Sequence, residues 1–318
     1  MRQSDSQPEP VPRPESQPKP QPKPAPLVTV GIPFYNAEAT LADAIRSVFA
    51  QTLTDWELIL VDDGSTDGSP DIARSVDDPR VRVVSEGRHL ALAARLNQIA
   101  SMAKGEFIAR LDADDLMHPR KLETQVSFLR AEPSVDVVGT GMYILDGDGQ
   151  PIANRRVSVA PAARDLFVKG PLAHATVTGR RRWFLDYPYD ETYPYSQDRE
   201  LWCRAFAKSR FANLAECYYF CREIGSFSLS KAVSASLAEM RLSARYGPSY
   251  VGLPRAGVLV LAAALKIPAY ACITALGLQS RVIRRRSATL APAEQKAVSL
   301  TLAEIRATRI PLRRDART

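Results

Sequence analysis

Two acidic segments in the first half of the chain carry residues that could take part in chemistry, and the second has the spacing that binds a divalent cation. Asp62 and Asp63 are adjacent, and Asp112-Ala113-Asp114 places two carboxylates two residues apart. Side chains at alternate positions of an extended segment project in the same direction, so Asp112 and Asp114 can approach one ion. A hard cation such as Mg²⁺ or Mn²⁺ prefers such oxygen ligands. A single D-x-D triplet is common, however, and on its own it is more often a solvated turn before a helix.

A cation held by carboxylates could serve the transfer of a glycosyl group out of a nucleotide diphosphate. The departing diphosphate develops negative charge, and a divalent cation neutralises that charge. The acceptor hydroxyl has to lose a proton, so a carboxylate base has to face the anomeric carbon. These requirements predict one site that combines metal-binding acids with a further acid on the acceptor side.

The elements around the acidic segments predict an α/β fold with a doubly wound, parallel sheet. Apolar, β-branched runs predict buried strands, and segments with apolar residues at helical spacing alternate with them. The predicted strands are Leu27–Ile32, Trp56–Val61, Arg80–Val84, Glu106–Leu111 and Val135–Val138. Ligands of such sheets bind beyond the carboxyl ends of the strands, and both acidic segments directly follow such ends.

Three segments at predicted strand ends carry a resemblance to a known family. Pro33-Phe34-Tyr35-Asn36 ends the first strand, Asp62-Asp63-Gly64-Ser65 ends the second, and GEFIARLDADD spans residues 105–115. In this order and spacing they resemble the family 2 glycosyltransferases with the GT-A fold, closely over residues 28–115 and less closely to about Cys221. The resemblance implies a Rossmann-like, mostly parallel sheet flanked by helices. It also implies inverting, metal-dependent transfer from a nucleotide-diphosphate sugar, a UDP-sugar being favoured.

The resemblance implies a set of residues that bind the nucleotide sugar. Pro33 and Tyr35 would line the base pocket, and Asp63 or its neighbour would accept a hydrogen bond from the base. Asp112 would approach the ribose or the metal, and Asp114 would bind Mn²⁺ or Mg²⁺ directly. The whole implied set is Pro33, Tyr35, Glu38, Asp62, Asp63, Arg110, Asp112, Ala113 and His174.

Two members of this set have equally good structural interpretations. Arg110 could pair with a site carboxylate or a phosphate, or it could form a plain structural ion pair. His174 lies in Leu172-Ala173-His174-Ala175-Thr176, which resembles a family segment that closes over the donor diphosphate. A purely structural role for His174 is left open.

The catalytic base implied by the resemblance is Asp198. Family members often carry an acidic dipeptide at the beginning of a helix, and this chain has Gln197 in place of the first acid. The predicted helix spans residues 197–208. The alternative is that Asp198 only complements the helix dipole in the first turn. Glu200 is the reserve candidate, although it is expected to point elsewhere on the helix.

Composition and segment boundaries predict three regions. Residues 1–26 contain nine prolines and no apolar run, which indicates a disordered tail rather than a secretory signal. Residues 27–226 form the predicted GT-A domain, with a nucleotide-sugar-binding half at 27–139 and an acceptor half at 140–226. Residues 227–318 form a helical, basic region, and the chain carries a net charge of +7. We therefore predict a cytoplasmic protein with free cysteines.

The apolar segment Ala256–Leu278 has the length of a membrane span. Lys266 and Pro268 bring its expected insertion energy near zero, so we expect not a stable single span but two half-helices that meet there and either lie at a membrane interface or form a hairpin against other chains. Arg281 to Arg286 would then face anionic headgroups on the inner face of the plasma membrane. A buried helix pair in a soluble protein or a homo-oligomer is the alternative.

Other functions are weighed against glycosyl transfer. A nucleotidyltransferase of similar fold would need a Gly-rich, basic loop after the first strand, and a dinucleotide oxidoreductase would need G-x-G-x-x-G there; residues 33–36 match neither. A catalytically inactive glycan-assembly scaffold is the third alternative, and the complete acidic set argues against it. The expected acceptor is a glycan or a lipid-linked glycan of cell-surface polysaccharide synthesis, and no nucleic-acid partner is expected.

Overall fold

The computed structural model of the protein describes residues 25–168, 170–222, 229–276 and 288–313. Its strands are β1 (Val28–Phe34), β2 (Trp56–Asp62), β3 (Val81–Ser85), β4 (Phe107–Arg110), β5 (Leu116–Met117), β6 (Val137–Leu145), β7 (Pro151–Arg155), β8 (Thr178–Arg180), β9 (Phe211–Arg222) and β10 (Ala288–Thr289). Its helices are α1 (Leu41–Phe49), α2 (Ser69–Ser75), α3 (Ala91–Met102), α4 (Lys121–Ala131), α5 (Asp165–Val168), α6 (Arg181–Asp186), α7 (Gln197–Ala205), α8 (Leu229–Val251), α9 (Leu253–Ala275) and α10 (Pro292–Ala307).

The first four strands form the parallel part of the sheet. They lie in the order β3, β2, β1, β4, and each neighbouring pair is parallel. Ile45 of α1 packs with Val30 in the main core, whereas Ile99 of α3 packs with Ile59 and Val61 on the other side. Because apolar residues lie on both faces, these strands are continuous apolar runs in the sequence. The predicted parallel, helix-flanked sheet is confirmed for this half.

The fifth predicted strand differs from its expected position. β6 is longer than the predicted Val135–Val138 and pairs antiparallel with β8, which in turn pairs antiparallel with β4. The parallel part therefore ends at β4, because a strand from later in the chain occupies the next place. β6 also crosses residue 139, so the predicted division between the two halves falls inside a strand.

β9 connects the second half of the chain to the segment after β4. It pairs parallel with β6 and antiparallel with β5, which directly follows the Asp112 segment. In that second pairing Met117 lies opposite Tyr219. β9 is one continuous strand of 12 residues. Its pairing with β5 places Tyr219 beside the acidic segment.

Two long helices, α8 and α9, form a hairpin that turns at Gly252, where φ is +80°. The prediction of two half-helices was wrong, because α9 is one helix through Lys266 and Pro268. Proline removes one backbone hydrogen bond, and packing against α8 supports the helix across that gap. α9 is long and apolar enough to cross a bilayer, and little of it is buried within the protein.

Polar contacts attach this hairpin to α7. Glu239 of α8 forms ion pairs with Arg199 of α7 and with Lys266 of α9, the latter at 2.6 Å. The Tyr246 hydroxyl donates a hydrogen bond to the Glu200 carboxylate at 2.8 Å. Lys266, whose charge opposes membrane insertion, is therefore paired inside the hairpin.

The described end of the C-terminal region folds back onto the sheet. Leu302 and Ile305 of α10 pack with Phe220 of β9, and β10 pairs antiparallel with β7. Helix formation by α8, α9 and α10 agrees with the predicted helical region. The predicted contact of Arg281 to Arg286 with headgroups, and the disorder predicted for residues 1–26, fall largely outside the described residues.

Replacing Lys121 by methionine is expected to stabilise the protein. Lys121 is fully buried, its ammonium contacts the Thr178 hydroxyl at 3.3 Å, and burial lowers the pKa of Lys121 to about 7. Because the pKa is lower than in the unfolded chain, stability is lost as the pH falls from about 10 towards 7. We expect Lys121→Met to raise the free energy of unfolding by about 2 to 4 kcal/mol at pH 7, measured by urea denaturation.

The matched control is Lys104→Met, which changes an exposed lysine. It should alter the free energy of unfolding by less than about 0.5 kcal/mol. The advantage of Lys121→Met should also shrink when unfolding is repeated near pH 10. Equal stability of the two variants at pH 7 would show that the buried ammonium carries no penalty.

Candidate active site

A cleft of about 530 Å³ opens beyond the carboxyl ends of β1 and β4. Six of the residues predicted from the sequence line it: Pro33, Tyr35, Arg110, Asp112, Ala113 and Asp114. The Tyr35 side chain is half exposed to the cleft, and Leu92 of α3 also lines it. β1 and β4 are parallel neighbours, and the segments that follow them form one concave surface. This is the place where ligands of such a sheet are expected to bind.

Three carboxylates, those of Asp112, Asp114 and Asp115, form a cluster at this cleft. One oxygen of each lies within 4.8 Å of the others. Burial raises the pKa of Asp114, and the Asp112 charge adds to the shift; the pKa of Asp115 is raised well above its ordinary value for the same reasons. Ionisation of all three carboxylates is unfavourable because their negative charges lie close together. A bound hard cation would offset this repulsion and stabilise the ionised carboxylates.

Residues from two other elements hold this cluster in place. Arg110 donates a hydrogen bond to Asp112 at 2.5 Å, and the backbone N–H of Arg222 donates to Asp115 at 2.8 Å. The Asp112 N–H donates to the Tyr219 hydroxyl at 3.2 Å. Burial opposes the charge on Arg110, yet the Asp112 carboxylate raises the pKa of the guanidinium above its ordinary value. Arg110 therefore remains a cation beside the acids.

Asp198 lies in the first turn of α7, at the position the sequence predicted. Burial raises its pKa above the ordinary aspartate value, and the Arg110 charge acts against that shift. Arg110 thus interacts electrostatically with Asp198 as well as with Asp112. The predicted base and the predicted metal ligand Asp112 therefore interact with one guanidinium, although Asp198 is not among the residues that line the cleft.

His174 lies near the same guanidinium and is bonded to Tyr189. Its ring nitrogen and the Tyr189 hydroxyl are 2.8 Å apart. Burial lowers the pKa of His174 well below its ordinary value, and Arg110 contributes to that shift. His174 is therefore neutral near pH 7. It does not line the cleft, and its contact with the donor stays a prediction.

Asp62 and Asp63 are not among the residues that line the cleft, and their carboxylates accept hydrogen bonds from other protein groups. Asp63 accepts hydrogen bonds from the Leu90 N–H at 2.7 Å and from the Arg95 guanidinium at 2.8 Å. Asp62 accepts from the Ser85 hydroxyl at 2.7 Å. Both carboxylates therefore fix the segments after β2 and β3. A hydrogen bond from either to a nucleotide base stays a prediction.

Glu38 is directed towards α2 rather than into the cleft. Its carboxylate accepts a hydrogen bond from the Gly68 N–H at 3.0 Å, which orders the beginning of α2. His89 lies beside Tyr35, with ring centroids 4.7 Å apart, and its ring nitrogen is 3.0 Å from Asp63. Tyr35 and His89 together make an aromatic corner next to Asp63.

Four site residues were missed from the sequence: His89, Tyr189, Tyr219 and Asp115. Asp115 was visible as the last acid of LDADD, and its adjacency to Asp114 was the available signal. Tyr189 and Tyr219 had no local signal, because their sequence neighbours form no motif. They reach the site through long-range packing of the acceptor half.

Comparison with known proteins agrees with this geometry. The model of the family described as Glycosyl transferase family 2 matches residues 29–189. A Bacillus subtilis (strain 168) protein named "Putative glycosyltransferase EpsE" is 38% identical over 204 residues, which make up 62% of this chain and 73% of that protein. The chain belongs to glycosyltransferase family 2. Its enzyme class is therefore that of the glycosyltransferases, as the resemblance implied, rather than the nucleotidyltransferases.

Two further proteins resemble this family 2 glycosyltransferase, one in sequence and one in structure. The Escherichia coli UDP-Glc:alpha-D-GlcNAc-diphosphoundecaprenol beta-1,3-glucosyltransferase WfgD is 37% identical over 103 residues, 32% of this chain and 41% of that protein. The structure of mannosyltransferase PcManGT from Pyrobaculum calidifontis, in complex with GDP-Man and Mn²⁺, covers 91% of this chain and 88% of its own at 18% identity and a TM-score of 0.55. The second likeness shows the fold, and the predicted GT-A architecture is confirmed.

Proposed function

We propose that the protein transfers a sugar from a nucleotide-diphosphate donor to an acceptor hydroxyl, with inversion at the anomeric carbon and with a bound Mn²⁺ or Mg²⁺. One observation carries the proposal. Arg110, which lines the cleft with Asp112 and Asp114, interacts electrostatically both with Asp112 and with Asp198, the latter outside the residues that line the cleft. A donor diphosphate bound through the cation that the cluster would hold could then present its sugar towards Asp198.

The nucleotide would occupy the part of the cleft formed after β1. Tyr35 is half exposed there, and His89 packs against it. An aromatic wall beside Pro33 suits the flat, apolar face of a base. Asp62 and Asp63 already accept hydrogen bonds from protein donors, so their first role is to hold the loop after β2. A hydrogen bond from the base would be added to these contacts or would replace one of them.

The cation would be bound by Asp112 and Asp114, with Asp115 behind them. These carboxylates fit it because three oxygen donors lie within 4.8 Å of one another and burial raises the pKa values of Asp114 and Asp115. When bound, the ion would neutralise the charge that develops on the departing diphosphate. PcManGT was solved with Mn²⁺, and its shared fold supports the same choice here.

The protein residues would carry the proton transfer. Asp198 would accept the proton of the acceptor hydroxyl while that oxygen forms a bond to the anomeric carbon. The bond from the anomeric carbon to the diphosphate breaks in the same step, and one displacement inverts the configuration. Arg110 stabilises the negative charge of Asp198 before the transfer and pairs with Asp112 throughout.

The acceptor would be a lipid-linked or otherwise anchored glycan of cell-surface polysaccharide synthesis. Support comes from the name of WfgD, which specifies a diphosphoundecaprenol acceptor and UDP-Glc. The same name favours a UDP-sugar donor, whereas PcManGT was solved with GDP-Man. Both nucleotides therefore belong in the test.

A panel of nucleotide sugars tests the proposal. Thermal unfolding should be shifted upwards by one UDP- or GDP-sugar in the presence of Mn²⁺, and nucleotide release should accelerate when a suitable acceptor is added. Binding without any nucleotide release, across donors and a broad acceptor mixture, would instead support a non-catalytic scaffold. Failure of every nucleotide sugar to bind would contradict the proposal itself.

We also propose that the enzyme works in the cytoplasm on the inner face of the plasma membrane, with α9 lying in the membrane interface. Leu261 and Leu265 are about 60% exposed on α9, and Leu253 is 75% exposed. Burial of one leucine side chain contributes about 1.5 to 3 kcal/mol. The exposed leucines would therefore supply enough energy to hold the protein at an anionic lipid surface.

Flotation with anionic liposomes provides the measurement. The full chain should float with the liposomes, and a Leu261→Gln, Leu265→Gln variant should bind at least about tenfold more weakly. Leu300→Gln is the matched control, because Leu300 is 58% exposed on α10. Equal flotation of both variants would exclude α9 as the lipid-contacting element.

A further inference from the structure

A second cavity, of about 210 Å³, lies between the loop that leads into α7 and the middle of α8. The loop contributes Tyr193 and Tyr195, and α8 contributes Leu237 and Arg241. Tyr195 is 42% exposed and Leu237 is 53% exposed, so the cavity has an open aromatic side and an open apolar side. None of these residues belongs to the donor cleft.

The cavity combines an aromatic surface with a free guanidinium. Arg241 lies over the Tyr193 ring, 5.6 Å from its centroid. The Tyr193 side chain also raises the pKa of the Arg245 guanidinium, so a second cation lies near this ring. Among the described residues no carboxylate forms an ion pair with Arg241. An exposed arginine on an aromatic ring is preorganised to bind a planar or tetrahedral anion.

The position of the cavity assigns it to the acceptor side. Tyr195 precedes Asp198 by three residues, and Ser196 between them adopts φ +62°, which turns the chain from the cavity into α7. The nucleotide cleft is instead lined by the segments after β1 and β4. A molecule bound against Tyr195 therefore approaches α7 from the end that carries Asp198.

We propose that this cavity binds the sugar-diphosphate part of a lipid-linked acceptor. This inference rests on the proposed function and specifies its acceptor. The Tyr195 ring would pack against the pyranose ring, and Arg241 would pair with the diphosphate. Leu237 would contact the first part of the lipid, on the same hairpin whose α9 exposes Leu261 and Leu265. The lining thus offers an aromatic, a cationic and an apolar surface, one for each part of such an acceptor.

Binding to three compounds with one farnesyl tail tests the proposal. The compounds are N-acetylglucosaminyl farnesyl diphosphate, neutral farnesyl N-acetylglucosaminide, and farnesyl glucuronide, whose carboxylate is the other anion that arginine would recognise. The full-length protein should bind the diphosphate at least about tenfold more tightly than the other two. Arg241→Gln should remove that difference and leave binding of the neutral glycoside unchanged.

Control variants separate this site from a general charge effect. Arg182→Gln removes an arginine whose side chain is 91% exposed on α6, and it should bind all three compounds as the wild type does. Tyr195→Leu should weaken binding of both N-acetylglucosaminyl compounds, and Tyr195→Phe should restore it because the ring is retained. Each variant should bind the nucleotide-sugar donor with unchanged affinity.

The outcomes distinguish this inference from the proposed function. Donor binding together with equal diphosphate affinity in Arg241→Gln and Arg182→Gln would overturn the cavity assignment and leave the proposed function standing. Preference for the glucuronide would also overturn it. If the wild-type protein bound no nucleotide-sugar donor, the proposed function would be contradicted. A preference for the diphosphate that depends on Arg241 would support the cavity assignment whether or not the donor binds.

Discussion

Replacement of Asp198 by asparagine is expected to lower glycosyl transfer by about 10³-fold while nucleotide-sugar binding stays within about threefold of the wild type. Asparagine keeps the shape of the side chain and its place in the first turn of α7, but it cannot accept the acceptor proton. In the proposed arrangement the donor would be held by the residues after β1 and β4, which the substitution does not touch. Turnover with saturating donor and acceptor, together with donor affinity by calorimetry, provides the measurement.

The pH dependence of transfer is the second test of Asp198 as the proposed base. Burial raises the pKa of Asp198 above that of an ordinary aspartate. The active form is the deprotonated one, so the rate should fall as the pH falls through this raised pKa. The residual activity of Asp198→Asn should lack that acidic limb. Asp186→Asn, a change at a carboxylate that is 58% exposed on α6, is the control and should retain both rate and limb. Normal turnover in Asp198→Asn would refute the assignment.

Asp114→Asn is expected to reduce transfer by about 10³-fold and to weaken Mn²⁺ binding by at least about tenfold. The reason is the loss of the most exposed carboxylate of the cluster, which lines the cleft. Calorimetric titration of the protein with Mn²⁺ in the absence of donor measures the affinity for the ion separately from turnover.

The same substitution should stabilise the protein when no divalent ion is present. In the wild type, burial and the Asp112 charge raise the pKa of Asp114, so ionisation of the cluster is unfavourable. Removal of one charge relieves that repulsion, and the unfolding temperature in EDTA should rise while the gain on adding Mn²⁺ should fall. Asp148→Asn, in an exposed turn, should change neither value. An unaltered gain with Mn²⁺ in Asp114→Asn would place the cation elsewhere.

The parallel half of the sheet could be predicted from the sequence because each of its strands is marked by neighbouring residues. β1, β2 and β4 are short apolar runs that end in polar residues, and the order of strands and helices fixes a parallel sheet. The Asp112 segment follows from that order, since carboxyl ends of parallel strands share one edge. Asp198 followed from the resemblance, which located an acidic residue at the beginning of a helix.

The rest of the site depends on contacts between distant residues. The Asp112 N–H and the Tyr219 hydroxyl meet although 107 residues separate them, because β9 pairs with β5. Arg95 is fully buried against Asp63, and nothing in its helical neighbours indicates that partner. Pro268 suggested a helix break for a sound local reason, yet packing on α8 outweighs it. In each of these cases contacts between residues distant in sequence determine the local structure. The neighbouring residues in the sequence do not indicate which distant residue makes the contact.

The chain of charges from Lys266 through Glu239 to Arg199 joins the most hydrophobic helix to the residue next to Asp198. A shortened enzyme that ends before α8 would leave Arg199 without its carboxylate at the very helix that presents the base. Deletion of α8 and α9 to improve solubility would therefore also be expected to alter the position of Asp198 and the transfer to the acceptor. We therefore expect that deleting the hairpin would change the proposed surface attachment and the orientation of the acceptor hydroxyl together, because Glu239 contacts both helices.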